Sequence, residues 1–191
     1  MERNAECQLC PLHKGARTVC MDGRGSTTPR FLFVGQNPGE EEDQNGIPFC
    51  GPSGKMLTHY IQELDLRPAR LSNATRCHAP KDREPKKVEV EACKPYLLAE
   101  IKETRPEFIV AVGGTALAAL TGKRGITTYA GRICGEMEGS KVFAMIHPSY
   151  VLHSPKAAHK FEANLRELKR LSNGGPAKKV PFEVITWAQG W

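Results

Sequence analysis

The sequence predicts an α/β fold in which a parallel β-sheet carries helices on both faces. Short apolar runs that are typical of buried strands occur at residues 31–34, 71–75, 107–112 and 141–146. Stretches with helical periodicity separate these runs, and this alternation favours parallel strands joined by right-handed crossovers. The 191 residues are enough for one domain, which we place at residues 1–172, followed by a C-terminal extension at residues 173–191.

The first predicted strand, residues 31–34, ends at Gly35 and opens into a long loop that runs to Gly54. A connector between a strand and a helix needs only about two to six residues. This loop contains the adjacent amides Gln36 and Asn37, an acidic run at residues 40–43 and the aromatic Phe49. Because ligands bind at the carboxyl ends of strands in open α/β sheets, the loop is a candidate functional site. The acidic run is interpreted as a solvated, loop-capping cluster, with a catalytic carboxylate as the alternative.

The helices follow from the spacing of apolar residues. One is predicted over residues 53–64, with Ser53 as its N-cap and Lys55 in its first turn, where an anion can bind. Others are predicted at residues 86–104, 115–120 and 156–171. The charges on the last of these are interpreted as a solvated face, with a DNA contact as the alternative. The apolar residues after position 180 predict an appended strand or a packed extension.

Polar side chains stand where the predicted strands end. Gln36 and Asn37 follow the first strand, Asn73 comes near the end of the second, and His147 follows the last. Carboxyl ends of parallel strands share one edge of a sheet, so these side chains are expected to lie together. A carboxamide offers a donor and an acceptor side by side to a base edge, although turn formation is an alternative role for Asn73.

The charge balance gives a weak indication of the partner. Lys and Arg number 27 against 21 Asp and Glu, which gives a net charge of +6 and a pI of about 9.0. A basic excess favours an anionic partner such as nucleic acid. No apolar run approaches the roughly 18 residues of a membrane span, and the amino-terminal segment is polar. We therefore expect a cytoplasmic monomer with no membrane attachment.

Seven cysteines in a reducing compartment indicate a metal site or reactive thiols before disulfides. Cys7 and Cys10 are spaced so that both sulfurs can face one metal, and Cys77 and Cys93 could complete a four-thiolate site for zinc or an iron–sulfur cluster. Cys93 also falls on the apolar face of its helix, so a buried apolar role is its alternative. The other three are interpreted as structural or incidental: Cys20, Cys50 and Cys134.

A set of motifs, in this order along the chain, resembles the uracil-DNA glycosylase superfamily, and most closely its type-four, iron–sulfur branch. The motifs are Cys7-x-x-Cys10-Pro11-Leu12, Gly35-Gln36-Asn37-Pro38-Gly39 in a loop ending in Pro48-Phe49, Asn73 before Cys77, Cys93, and His147-Pro148-Ser149-Tyr150. The resemblance implies a three-layer α/β/α sandwich with a central four-stranded parallel sheet. It also implies a structural 4Fe-4S cluster near the N-terminus, held by Cys7, Cys10, Cys77 and Cys93.

Two departures from the type-four branch leave the substrate open. That branch usually has Gly-Glu-Ala-Pro-Gly in the first loop, with a carboxylate at the position of Gln36. The Asn-Pro-Gly of this chain is similar to the mismatch-specific and single-strand-selective branches, where the Asn positions the attacking water. Residues 126–131 also lack the Arg-Gly that is usual in the type-four branch.

The resemblance assigns a role to each motif residue. Asn37 would orient water and His147 would donate to the O2 side of the departing base. Phe49 would stack on the base, with core packing as its alternative role, and Asn73 would read the base edge. Gly39 stands where one branch has a bulky Tyr that excludes the thymine methyl group, so C5-modified pyrimidines are allowed. The rest of the base-binding loop is Gly35, Gln36 and Pro38, and the DNA contacts are Ser53, Lys55 and Ser149, with Arg76 or His153 as further candidates.

The predicted function is that of a monofunctional DNA glycosylase. It would flip uracil or a modified pyrimidine out of DNA and hydrolyse the N-glycosidic bond, leaving an abasic site. One alternative is a glycosylase specific for a bulky modified pyrimidine, for example in defence against a phage with altered DNA. The other is a non-catalytic nucleic-acid-binding module stapled by zinc.

Overall fold

A six-stranded sheet runs through residues 4–177, the part of the chain that the computed structural model describes. The strands are β1 (Arg24–Gly25), β2 (Phe31–Gly35), β3 (Ala69–Asn73), β4 (Phe108–Val112), β5 (Arg132–Met137) and β6 (Ser140–Met145). The helices are α1 (Glu40–Asn45), α2 (Pro52–Glu63), α3 (Lys87–Thr104), α4 (Gly114–Thr121), α5 (Ile126–Tyr129), α6 (Pro148–His153) and α7 (Ala158–Ser172). The α/β class is confirmed.

The strand order in the sheet is β1-β3-β2-β4-β6-β5. The inner strands β3, β2, β4 and β6 are mutually parallel, and β1 and β5 pair antiparallel at the two edges. The resemblance implied a central four-stranded parallel sheet; the four central strands are parallel, but the sheet has six strands because an antiparallel strand is added at each edge. The edge strand β5 runs antiparallel to its neighbour because a two-residue hairpin at Glu138 and Gly139, both with positive φ, joins it to β6.

Hydrophobic packing covers both faces of the sheet. Successive residues of a strand point to opposite faces, so Phe31 and Phe33 face one way while Leu32 and Val34 face the other. The first face packs against α2, α6 and α7, and the second packs against α3 and α4. The two central strands, β2 and β4, are buried on both faces, as is usual for parallel sheets, and the cavity described below opens at the carboxyl ends of the inner strands.

Several predicted boundaries shift in the structure. The second strand lies at Ala69–Asn73, two residues earlier than expected, and α2 begins at Pro52 with Gly51 as its N-cap in place of Ser53. The acidic run belongs to the short helix α1. A one-turn helix, Pro155–Ala157, precedes α7. The predicted packing of the apolar residues after position 180 lies outside the described residues.

Within residues 4–177, no helix combines the length and the apolar character that crossing a membrane requires.

Candidate active site

A cavity of about 480 Å³ opens at the carboxyl ends of the parallel strands. Most of the predicted site residues line it, although they come from distant parts of the chain. These are Gln36, Asn37, Gly39, Phe49, Ser53, Asn73, His147 and Ser149. Gly35, Pro38 and Lys55 are not among the lining residues.

The side chain of Asn37 has a fixed orientation. Its Nδ2 donates a hydrogen bond of 2.8 Å to the carbonyl oxygen of Pro38. A carbonyl can only accept, so the nitrogen of the carboxamide must face Pro38. The Oδ1 atom of Asn37 is consequently left as an acceptor, which suits the binding of a water molecule.

Asn73 and Phe49 meet above the glycine that ends β2. Gly35 pairs with Asn73 in the parallel ladder, and a Cβ added at Gly35 would lie 2.6 Å from Oδ1 of Asn73 and 2.7 Å from Cζ of Phe49. Asn73 is only 7% exposed, yet no residue between 4 and 177 hydrogen-bonds its carboxamide. Its donor and its acceptor are therefore available to a ligand in the cavity.

Phe49 belongs both to the cavity wall and to the hydrophobic core. It is 6% exposed and packs with the cluster on the α2 face of the sheet, which is the core role weighed for it, and the predicted stacking on a base stays a prediction. Its backbone is in the left-handed region, with φ of 56°. Nη2 of Arg24 donates to its carbonyl oxygen at 2.9 Å and holds this conformation.

His147 is a neutral imidazole with its proton on Nε2. The backbone N–H of Ser149 donates to Nδ1 at 3.1 Å, and the Ser149 hydroxyl lies 2.6 Å from the same atom. A backbone N–H can only donate, so Nδ1 is the unprotonated nitrogen. Burial lowers the pKa of His147 to about 4, which keeps the ring uncharged at neutral pH. The ring lines the cavity and offers Nε2–H as a donor.

Two carboxylates of the acidic run at residues 40–43 accept hydrogen bonds from backbone N–H groups. The acidic pattern alone did not predict these bonds. The Glu42 carboxylate accepts from the backbone N–H of Gly39 at 3.1 Å and from that of Gly51 at 2.7 Å, and it lines the cavity. Asp43 is buried and accepts from the N–H groups of Arg17 and Thr18, each at 2.9 Å. Glu42 thus links Gly39 to Gly51 across the active-site loop. Asp43 joins the same loop to the amino-terminal segment.

The rim of the cavity contains residues that were not predicted. Asp82 and Glu84 come from the charged segment before α3, and Gly113 and Gly114 come from the start of α4. The two glycines directly follow the strongest predicted strand, and this position at a strand end could have predicted that they line the site. The two acids had no such signal, because charged residues in a loop are usually solvated. His153, one of the further DNA-contact candidates, also lines the cavity.

The predicted DNA contacts divide into three groups. Ser53 and Ser149 line the cavity, whereas Lys55 is exposed and lies 3.9 Å from the Glu41 carboxylate. The prediction that Arg76 could contact DNA is wrong. It is 2% exposed and forms ion pairs with Asp22 and Glu100, so its guanidinium is a buried structural group.

The cysteines of the predicted cluster site approach one another. Burial raises the pKa of the Cys10 thiol, and Cys7 and Cys93 lie near enough to contribute to the shift. Burial, together with neighbouring thiols that include Cys10, raises the pKa of Cys77 to about 11 and that of Cys93 to about 12. Cys20 was interpreted as structural or incidental, and its backbone N–H donates to Sγ of Cys77 at 3.3 Å.

The donor chemistry of this region fits an iron–sulfur cluster. Cys7, Cys77 and Cys93 are buried and Cys10 is half-buried, and four thiols are the usual ligand set of such clusters. Among the described residues, however, no three His, Cys, Asp or Glu side chains stand in metal-ligating positions. The cluster therefore stays a proposal that rests on donor type and proximity.

Comparison with known proteins gives consistent matches. Residues 23–169 match the Uracil DNA glycosylase superfamily. The chain is 40% identical over 157 residues to a Type-4 uracil-DNA glycosylase of Thermotoga maritima, a match that covers 80% of this chain and 81% of that protein. It is 32% identical over 182 residues to that of Saccharolobus solfataricus, covering 90% and 84%. The corresponding values for Pyrobaculum aerophilum are 34% over 171 residues, 83% and 86%.

Proposed function

Because the chain belongs to the Uracil DNA glycosylase superfamily and is a DNA glycosylase, we propose that it removes uracil or a C5-modified pyrimidine from DNA. The reaction would hydrolyse the N-glycosidic bond and leave an abasic site, with no further strand cleavage. One observation carries this proposal: Asn37, Asn73 and His147 line a single cavity, each with a free hydrogen-bonding group. The similar proteins from three organisms are all named as uracil-DNA glycosylases, which supports uracil as the first substrate to test.

The cavity suits a base that has been turned out of the duplex. Its volume of about 480 Å³ lies within the usual range for small-ligand sites. Asn73 offers an acceptor to N3–H of uracil and a donor to O4, and a buried carboxamide that none of the described residues hydrogen-bonds favours a ligand that satisfies both. Phe49 supplies the aromatic surface on which an extruded base can stack.

His147 would stabilise the departing base. Breaking the glycosidic bond leaves negative charge on the pyrimidine, and the Nε2–H of a neutral imidazole can donate to its O2 as that charge develops. The lowered pKa means that His147 acts as a hydrogen-bond donor and not as an acid. Removal of such a donor typically lowers the rate by about 100-fold to 1000-fold.

Asn37 would place the attacking water. The sugar becomes oxocarbenium-like as the base departs, and water must then reach the anomeric carbon. Oδ1 of Asn37 can accept one hydrogen of that water, because its Nδ2 is engaged by Pro38. An amide does not take up the proton, so the site relies mainly on stabilising the leaving base.

Cys7, Cys10, Cys77 and Cys93 would hold the 4Fe-4S cluster. When bound, it would act as a structural link between the amino-terminal segment, the residues that follow β3, and α3. Asp43 already connects the amino-terminal segment to the active-site loop through two backbone hydrogen bonds. A brown protein that contains iron and acid-labile sulfide supports this cofactor, and a colourless protein that contains zinc supports the alternative of a zinc-stapled binding module.

Gly39 favours a second candidate substrate class. It lines the cavity without a side chain of its own, and the Glu42 carboxylate takes part of the space beside it, 2.7 Å from where a Cβ would stand. A substituent on C5 of the base would therefore meet no side chain at residue 39, which is the ground for this candidate. A glycosylase for a bulky modified pyrimidine, as in defence against phage, would use this space.

The test is a gel assay for alkali-labile abasic sites over oligonucleotides that carry uracil, thymine, hydroxymethyluracil or a bulkier C5-substituted pyrimidine. We expect cleavage of uracil, with retained cleavage of at least one C5-modified base. The Asn37→Ala and His147→Ala variants should both be strongly impaired. Cleavage of none of these bases by a correctly folded wild-type protein would reject the function, and strict selectivity for unmodified uracil would reject the C5 extension.

A further inference from the structure

The hydroxyl group of Thr115 bridges two residues of the cavity wall. Its Oγ1 lies 3.1 Å from Oε1 of Gln36 and 3.2 Å from Oε1 of Glu84. The three residues come from the loop after β2, the segment before α3 and the first turn of α4. Gln36 and Glu84 both line the cavity.

A hydroxyl has one proton, so Thr115 cannot donate to both oxygens. The Glu84 carboxylate has no hydrogen to donate, and a charged acceptor forms the stronger bond, so the Thr115 proton belongs to Glu84. A carboxamide can be turned over without a change of shape. Gln36 therefore satisfies the pair best when its Nε2 donates to Oγ1 of Thr115, which leaves its Oε1 as the atom not engaged by Thr115 in a residue that lines the cavity.

We propose that Glu84 and Thr115 are positioning residues that hold the Gln36 carboxamide with its oxygen facing the cavity. Gln36 and Asn37 then offer two acceptors from consecutive residues, which matches the two hydrogens of one water molecule. The orientation of Gln36 stands on hydrogen-bond chemistry alone, while its effect on the attacking water rests on the proposed function. The hydrogen-bonded series Glu84–Thr115–Gln36 thus helps to position the water for hydrolysis.

The first test is a double-mutant cycle on the single-turnover rate with uracil-containing DNA. Thr115→Val removes the hydroxyl, and loss of one hydrogen bond of this kind should lower the rate about 5-fold to 10-fold. Thr115→Ser keeps the hydroxyl and should retain most of the rate. In a Gln36→Ala background, Thr115→Val should cause no further loss. Equal losses in both backgrounds would overturn the proposal, because a merely structural role of Thr115 predicts that result.

The kinetic parameter that changes is also diagnostic. A residue that helps to place water should change the single-turnover rate at saturating enzyme and leave the affinity for DNA within about twofold. Weakened DNA binding with an unchanged saturating rate would contradict the proposal, since it would assign Gln36 to substrate binding.

Glu84 provides a matched pair of variants that separates charge from hydrogen bonding. Glu84→Gln removes the charge but keeps an oxygen that can accept from Thr115, so most of the rate should remain. Glu84→Ala removes the acceptor, frees the Thr115 proton for Gln36 and allows its carboxamide to turn over, so the rate should fall. Equal losses of rate in the two variants would show that only the charge of Glu84 matters, and an unchanged rate in Glu84→Ala would show that its acceptor is not needed; either result would overturn its positioning role.

A readout without catalysis separates this proposal from the proposed function. The side-chain NH₂ resonances of Gln36 can be identified in a ¹H–¹⁵N spectrum by their loss in Gln36→Ala. They should shift in Thr115→Val and stay close to wild type in Thr115→Ser. If they shift while no base is excised, the orientation of Gln36 stands and the proposed function fails. If they do not shift in Thr115→Val, the orientation is wrong whatever the activity.

Discussion

Gly35 and Asn73 are direct partners in the parallel ladder between β2 and β3, and their contact leaves no room for a Cβ on Gly35. The close approach brings the Asn73 carboxamide beside Phe49 at the floor of the cavity. The position of the carboxamide that would read the base therefore depends on the missing side chain of a neighbouring residue.

Substitution of Gly35 by Ala should impair catalysis more than folding. The added methyl group would collide with the side chains of Asn73 and Phe49, which must move away from their positions in the cavity. We expect a loss of at least about 10-fold in the single-turnover rate, with a cost in unfolding free energy of about 1–3 kcal/mol. Gly15→Ala is the control, since its nearest contact would be Cγ of Pro80 at 4.0 Å. Wild-type activity of Gly35→Ala would contradict the role given to Asn73.

His147 should remain neutral throughout the working pH range. Its pKa is lowered from 6.5 to about 4 by burial, so the Nε2–H donor persists down to about pH 5. The pH profile of the wild-type rate should contain no fall near pH 6.5 that is caused by His147. Any fall seen there should persist in His147→Gln, whose side chain cannot titrate. The ¹⁵N shifts of the ring should report the Nε2–H tautomer from pH 5 to pH 8. A titration of this ring near pH 6.5 would contradict the assignment.

The same shift affects stability. The unfolded chain takes up a proton on His147 at about pH 6.5, whereas the folded protein does so only near pH 4. Protonation therefore favours unfolding between these values, and this residue makes the free energy of unfolding fall as the pH is lowered from 6.5 toward 4. His147→Gln should show a shallower fall over that interval in urea titrations. Identical slopes for the two proteins would count against the lowered pKa.

Glu42 should be needed to keep the active-site loop closed. Its carboxylate is the acceptor for two backbone N–H groups, at Gly39 and Gly51, and Glu42→Ala leaves both without it. We expect faster amide hydrogen exchange at these two glycines and a reduced excision rate. Glu40→Ala is the matched control, because Glu40 is exposed and its carboxylate accepts, within residues 4–177, only from the side chain of Gln44. Unchanged exchange at Gly39 in Glu42→Ala would show that the loop does not depend on this carboxylate.

The buried ion pairs around Glu100 should be a major stabilising feature. Glu100 is 2% exposed and binds Arg76 at 2.9 Å and Arg70 at 2.6 Å. Glu100→Ala leaves the buried Arg76 guanidinium without one of its two carboxylates, so we expect a loss of about 3–5 kcal/mol in the free energy of unfolding. Urea denaturation measures this loss, and Lys102→Ala on the exposed face of the same helix is the control. A loss below about 1 kcal/mol would show that Asp22 alone compensates the charge.

The sequence was sufficient for the inner sheet and for the residues that meet at its edge. Apolar runs mark buried parallel strands, and the carboxyl ends of such strands share an edge, so Asn37, Asn73 and His147 could be placed together without coordinates. The edge strand β1 could not be found, because two residues carry no periodic pattern.

Other features depend on contacts that local sequence does not encode. Arg76 looks like a surface cation beside a cysteine, and only the distant Asp22 and Glu100 make it a buried group. Glu42 and Glu40 look equivalent within the acidic run. The path of the folded loop brings backbone N–H groups to Glu42 and not to Glu40. The tautomer of His147 likewise follows from the turn that brings the Ser149 N–H to Nδ1.

The most direct test of the account is a crystal structure with duplex DNA that contains 2′-fluoro-2′-deoxyuridine, whose glycosidic bond resists hydrolysis. We expect the uracil outside the helix and stacked on Phe49, with Asn73 in hydrogen-bond contact with N3–H and O4. Nε2 of His147 should lie within about 3 Å of O2, and a water should bind Oδ1 of Asn37. A uracil that stays in the duplex, or binds away from this cavity, would contradict the account.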